Sequence, residues 1–293
     1  MRFEGKNIQK NFDGNNVLNS VNFSLMEPAI VALVGRNGSG KTTLLRILFN
    51  ELKMDEGSLL YERKEMAFQE ELFENISYLP DHFDYFKYDK IKDALYYYEV
   101  VYPNFDREFF LQELEKHHVS LEDRIGKLSK GMNKLVGLLM VLSTKAKILL
   151  LDELFDGLDV LNRQVAFDFI IEAYEEGRTI FLSSHELGEL QGIATDIFYL
   201  NKEGILTETK ADGSLGLLKF QVVTPSVLPE EILSKVVLRS KIGRVYTLLA
   251  QGTQEEWDKI FQQENVIQYD VLPVKMEDLF YWDKGREEHN ERI

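Results

Sequence analysis

A chain of 293 residues, 44% hydrophobic and 28% charged, can bury a sizeable core and exceeds what one compact domain needs. One main domain with an appendage is therefore expected. The absence of cysteine excludes disulfide frameworks, thiolate metal sites and cysteine nucleophiles, and leaves five histidines for any imidazole chemistry. A net charge of −15 disfavours DNA or RNA as the main partner, because nucleic-acid binding draws on a basic face to displace counterions.

The N-terminus, M-R-F-E-G-K-N, has no apolar signal core and already alternates, so it belongs to the fold and a cytosolic protein is expected. Strands are predicted at Phe3 to Ile8 and Val17 to Leu25, with turn chemistry at Asp13 to Asn16 between them. The run Ala29 to Val34 is apolar throughout, as in a strand buried on both faces, and it leads straight into a glycine-rich loop. Helical spacing follows Lys41, and a strand is expected at Asn75 to Leu79, ended by Pro80. From about Asp89 to Ser143, charged and aromatic residues recur at helical spacing, which marks a mostly helical insertion of about residues 82 to 145. The longest apolar run, Leu135 to Leu142, falls far short of the roughly 18 to 20 residues that span a bilayer.

Strand signals resume at Ile148 to Leu151 and Thr179 to Ser183, separated by a helix predicted over Arg163 to Glu176. The resulting fold is an α/β domain of parallel type over residues 1 to 212, interrupted by the helical subdomain. A small α+β appendage is expected over 213 to 293. Its strands are Lys219 to Val223, Val236 to Arg239, Val245 to Ala250 and Val266 to Leu272, with a helix at Gln254 to Gln263. The charged residues from Gly285 onward are expected to fray.

The stretch Gly35, Arg36, Asn37, Gly38, Ser39, Gly40, Lys41, Thr42, followed by Thr43, reads G-x-x-x-x-G-K-T between a strand and a helix. Its glycines let consecutive backbone N–H groups turn toward phosphate oxygens while the helix points its positive end at them. Lys41 would reach the β- and γ-phosphates and Thr42 would offer its hydroxyl to Mg²⁺. The plain alternative is an ordinary glycine turn. In K-I-L-L-L-D-E, Lys147 to Glu153, an apolar strand delivers two carboxylates to its end. Asp152 would hold Mg²⁺ through water and Glu153 would orient and polarise an attacking water, although solvated carboxylates at strand ends are common. Ser129 is a helix N-cap candidate ahead of an apolar run, which makes a second anion site.

At L-S-K-G-M, Leu128 to Met132, the chain resembles the ABC ATPase family, whose signature is usually L-S-G-G-Q. The resemblance covers residues 1 to about 210. It implies a P-loop NTPase fold with a RecA-like parallel-sheet core, an antiparallel β subdomain and a helical subdomain, with ATP and Mg²⁺ as ligands. It also implies a head-to-tail dimer, homo- or heteromeric, in which Ser129, Lys130 and Gly131 face the ATP held by the partner's P-loop. Lys130 would then add a cation near the γ-phosphate or stay a solvated surface lysine, and Met132 lacks the customary amide. Asp156 to Asp159 resembles the family's D-loop, and His185 its switch histidine. Phe12 stands where an aromatic stacks on adenine, with a core phenylalanine as the alternative. Asp81, after Y-L-P, stands where a glutamine often senses Mg²⁺ and the γ-phosphate. That acid and the ending V-L-P-V-K-M-E-D-L-F resemble bacterial ATPases that export peptides, antibiotics or lipids. The implied partner is a separately encoded membrane permease at the inner face of the cell membrane. Of the aromatic residues from Tyr85 to Tyr102, core packing of the helical subdomain accounts for most, and Tyr85, Phe86 and Tyr88 are expected to touch that partner. A soluble ABC mechanochemical ATPase acting in translation, DNA maintenance or cofactor assembly is the alternative.

Overall fold

Alternation along the first strands builds an antiparallel sheet. β1 (Arg2–Phe12) pairs with β2 (Asn15–Met26) across a turn at Asp13 and Gly14, where φ is +51° and +89°. β4 (Glu56–Tyr61) joins the other edge of β1, and the two-residue β5 (Lys64–Glu65) follows, giving the order β2-β1-β4-β5. The computed structural model describes residues 2–66, 74–185, 190, 192–210, 217–225, 227–263, 266–274, 278 and 281–282. The tail expected to fray, with His289, lies outside the described residues.

Every residue of β3 (Ile30–Val34) is buried, as its unbroken apolar run requires of a central strand. It lies between β8 (Thr179–Ser184) and β9 (Asp196–Leu200) in a six-stranded sheet. With β6 (Ile76–Leu79), β7 (Ile148–Leu151) and β10 (Leu206–Lys210), the order is β10-β9-β3-β8-β7-β6, parallel except for the edge strand β10. Phe3 and Phe23 of the first sheet pack edge-on or tilted against Phe181 and Phe198 of the second, with centroids 5.5 to 6.4 Å apart. This aromatic layer lies in the core between the sheets.

Between β6 and β7 the chain is helical: α2 (Ile91–Val101), α3 (Arg107–Lys116) and α4 (Lys130–Ser143), with short 3₁₀ turns at Asp84–Phe86 and Ile125–Lys127. α1 (Lys41–Leu48) follows β3, and α5 (Val160–Glu175) follows β7. α5 begins three residues before its predicted start. Asp159 caps it, but Val160 and Leu161 are 84% and 80% exposed, so its first turn breaks the apolar-inward pattern from which helices are read. Among the described residues, no helix is long and apolar enough to cross a membrane.

The chain divides into two compact units, residues 1–211 and 212–293. The second has an antiparallel sheet in the order β12-β13-β11-β14, formed by β11 (Leu218–Val223), β12 (Val236–Ile242), β13 (Val245–Ala250) and β14 (Gln268–Leu272). α6 (Glu230–Leu233) and α7 (Gln254–Gln263) complete it. Phe220 is fully buried among Trp257, Phe261 and Tyr269, with ring centroids 5.0 to 6.2 Å away. Phe220→Ala is expected to destabilise this unit by about 3–5 kcal/mol, through lost transfer energy and a residual cavity. Both tryptophans of the chain, Trp257 and Trp282, lie in this unit, so urea unfolding followed by tryptophan fluorescence reads the change.

Candidate functional site

The loop after β3 needs glycine where it turns. Gly38 and Gly40 have φ of +81° and +101°, and a β-carbon on Gly40 would stand 3.0 Å from the Val17 carbonyl. Such left-handed positions let successive N–H groups converge into an anion-binding nest, with the N-terminus of α1 adding its dipole. Lys41, the first residue of α1, is 5% exposed. Its Nζ donates to the carbonyls of Gly35 at 2.9 Å and Arg36 at 3.4 Å, and lies 3.4 Å from Glu153 Oε1.

The apolar strand β7 ends at Asp152 and Glu153. The other carboxylate oxygen of Glu153 is 2.9 Å from His185 Nδ1, so Lys41 and His185 flank one carboxylate. Ser183 Oγ donates to Asp152 Oδ1 and accepts from the Glu153 N–H at 2.8 Å. Burial pushes the Asp152 carboxyl above its ordinary range; Ser183 and Thr42 pull it down, and the charges of Glu153 and Asp81 raise it again. Asp152 Oδ2 is buried without a hydrogen-bond partner among the described residues. A free, desolvated carboxylate oxygen beside the Thr42 hydroxyl fits a hard divalent cation such as Mg²⁺.

Lys41, Thr42, Glu153 and His185 meet in a cavity of about 530 Å³, whose lining also includes Phe12, Asn37, Gly38, Gly40, Thr43, Asp81 and Asp156. Phe12 is 43% exposed, so it is not a core residue; Lys10 Nζ lies 5.3 Å from its ring centroid. Asp81 lines the cavity, but its Oδ1 accepts from Lys134 Nζ at 2.9 Å and its Oδ2 lies 3.5 Å from His82 Nε2. Its carboxylate is thus engaged by the Lys134 ammonium and the His82 ring of its own chain.

The signature residues lie outside that lining. Ser129 caps α4, its Oγ accepting from the Met132 N–H at 3.2 Å. Lys130 is an exposed surface lysine outside the cavity, paired with an acid: its Nζ bonds Asp156 Oδ2 at 2.7 Å and holds that carboxyl below its usual range. A β-carbon on Gly131 would stand 3.2 Å from the Gly157 carbonyl, so signature and D-loop backbones approach closely. Asp159 accepts from the Asn162 N–H at 2.9 Å and caps α5.

The sequence reading missed Ser183, Lys134 and the pairing partner of Lys130. Ser183 is visible only as a hydroxyl ending an apolar strand. Lys134, a lone cation at the head of the run L-V-G-L-L-M-V-L, is the stronger signal.

The ABC transporter family model matches residues 18–156. An uncharacterised ABC transporter ATP-binding protein of Methanocaldococcus jannaschii is 31% identical over 67% of this chain and 73% of its own length. The chain belongs to the ABC transporter ATP-binding proteins. This ABC ATPase is also similar, at 26% identity, to the ATP-binding protein YtrB of Bacillus subtilis, over 94% of this chain and 96% of that one. Relatives at lower coverage differ in what they serve. A lantibiotic transport ATP-binding protein of Streptococcus pyogenes is 29% identical over 72% of this chain and 92% of its own. A sulfate/thiosulfate import ATP-binding protein of Pseudomonas syringae is 27% identical over 73% and 69%. In fold, a solved ATP-binding subunit of an ABC transporter superposes with a TM-score of 0.65 at 22% identity, covering 72% of this chain and 91% of that one.

A second cavity of this ABC ATPase, about 400 Å³, is lined by Phe49, Tyr78, Tyr85, Phe86, Tyr97 and Tyr98 among others. Tyr85 donates to Glu51 at 2.8 Å; partial burial first, and then this hydrogen bond, push its hydroxyl pKa up to about 12. Tyr98 and Tyr102 are core residues of the helical subdomain, whereas Tyr88 is 81% exposed.

Proposed function

We propose that this chain is the ATP-hydrolysing subunit of an export-type ABC transporter, acting as one of two ATPase subunits on a separately encoded permease at the cytoplasmic face of the membrane. The observation that carries the hydrolytic part is the Glu153 carboxylate, held between the Lys41 ammonium and His185 at the mouth of the phosphate loop.

Phe12 stacks on adenine, the backbone from Gly35 to Thr43 cradles the phosphates, and Lys41 moves its charge onto the β- and γ-oxygens. Glu153 polarises a water in line with the γ-phosphorus. The water oxygen bonds phosphorus as the bond to the ADP oxygen breaks, and the water proton passes to Glu153 and then to the phosphate. His185 fixes the carboxylate and steadies the water. Mg²⁺ held by Thr42 and Asp152 would neutralise charge developing on the phosphate oxygens. We assign the metal to that pair, leaving Asp81 to its own cation. Ser129 to Gly131, with the α4 N-terminus, and Asp159 address the nucleotide of the second subunit, consistent with their position outside this chain's own cavity.

Export of a peptide, antibiotic or lipid is supported by Asp81 after Y-L-P, by the Val271 to Phe280 ending, and by the lantibiotic transport relative. Affinity purification from membranes, with identification of the co-purifying chain, tests the assignment. A multi-helix permease supports it; a ribosome or soluble scaffold overturns it. Uptake or release by vesicles carrying the purified pair then fixes direction.

The aromatic cavity fits a short apolar helix of the permease. Joint substitution of Tyr85, Phe86 and Tyr88 by alanine is expected to abolish permease co-purification and permease-stimulated ATPase activity while nucleotide affinity stays within about twofold. Retained association would remove this surface from the interface.

A further inference from the structure

A lysine 2% exposed, at the head of the buried apolar run of α4, requires an explanation, because an ammonium is costly to take out of water unless its protons are used. Lys134 Nζ donates to Asp81 Oδ1 at 2.9 Å and to the backbone carbonyl of Glu153. We propose that Lys134 is a positioning residue for hydrolysis, its buried ammonium fixing the peptide of Glu153 and tying it to Asp81.

Glu153 is where such a grip has an effect. Its φ is +46°, in the left-handed region that costs a residue with a β-carbon about 1–2 kcal/mol. Such a conformation persists only where the surroundings over-determine it. The Glu153 N–H is held by Ser183 at 2.8 Å, and its carbonyl accepts from the Asp156 N–H at 3.1 Å as well as from Lys134. With both sides of the residue held, the carboxylate is aimed between Lys41 and His185. Lys130, one helical turn before Lys134 and on the same face of α4, binds Asp156 at 2.7 Å. The first two turns of the signature helix thus grip three acidic residues that line this chain's own nucleotide cavity: Asp81, Glu153 through its carbonyl, and Asp156. Lys134 touches the reaction only through Glu153 and Asp81.

This inference rests on Glu153 as the hydrolytic carboxylate, and the test separates the two. In the purified full chain, Lys134→Met is expected to lower kcat for ATP by about 10- to 100-fold, the scale of a misplaced catalytic group. The Kd for a fluorescent ATP analogue should stay within about threefold. Asp81→Asn should lower kcat in the natural background and add nothing in the Lys134→Met background, because the two residues act as one pair. A kcat within twofold of the natural chain, a parallel loss of affinity and turnover, or additive losses overturn the proposal. If Lys134→Met yields no folded chain, Lys134→Gln decides on the same readouts: turnover lost with binding kept supports it, and full turnover overturns it. A Glu153→Gln chain that still turns over ATP would sink the underlying reading, whereas an inactive Glu153→Gln beside a fully active Lys134→Met sinks only this inference.

Discussion

Glu153→Gln is expected to lower ATP turnover by about 10²- to 10⁴-fold, the contribution of a positioned general base, while ATP binding persists. Glutamine keeps the length of the side chain and an oxygen facing His185, 2.9 Å away in the natural site, so geometry changes little. What disappears is the negative charge proposed to polarise water and take its proton. That charge stands 3.4 Å from Lys41, where it also competes with the phosphates for the ammonium. Removing it should tighten ATP binding as it slows hydrolysis. Because ATP then outlives the closed state's formation, a dimer should accumulate in ATP and revert in ADP, as read by size-exclusion chromatography alongside single-turnover hydrolysis. Undiminished turnover would remove Glu153 from the chemistry.

The parts of this molecule that were legible in its sequence are those where one residue type is physically forced. Gly38 and Gly40 occupy positive φ, β3 is buried on both faces, and Ser129 caps the helix it precedes. The short strand β9, D-I-F-Y-L, and the edge strands β4, β5 and β10 were not read. β4 shows apolar spacing only in its second half, β5 is two exposed residues, and β10 is mostly polar. Their pairing comes from neighbours distant in the chain: β4 lies on β1, and β9 lies between β3 and β10. The same limit holds in the site. Lys41, Asp152, Glu153 and His185 belong to a recognisable order, but pairings between Lys134 and Asp81 or Lys130 and Asp156 join residues 53 and 26 positions apart. No local pattern encodes them.

Lys41→Ala is expected to reduce ATP affinity by about 30-fold to several thousand-fold, since truncating one partner of a buried charge pair costs about 2–5 kcal/mol or more. Part of the loss is the missing ammonium, which is already desolvated and held on the carbonyls of Gly35 and Arg36, so it meets the phosphates preorganised. The rest comes from Glu153: without Lys41 its carboxylate faces the incoming phosphates uncompensated. These two contributions can be separated. In Lys41→Ala/Glu153→Gln the repulsion is gone but the ammonium is still missing, so affinity for a fluorescent ATP analogue should recover partly, by about tenfold over Lys41→Ala alone. Lys41→Arg should not restore the natural affinity, because a planar guanidinium cannot replace a compact ammonium seated between two backbone carbonyls. If the double variant binds no better than Lys41→Ala, Lys41 acts by contact alone and its 3.4 Å pairing with Glu153 has no part in nucleotide capture.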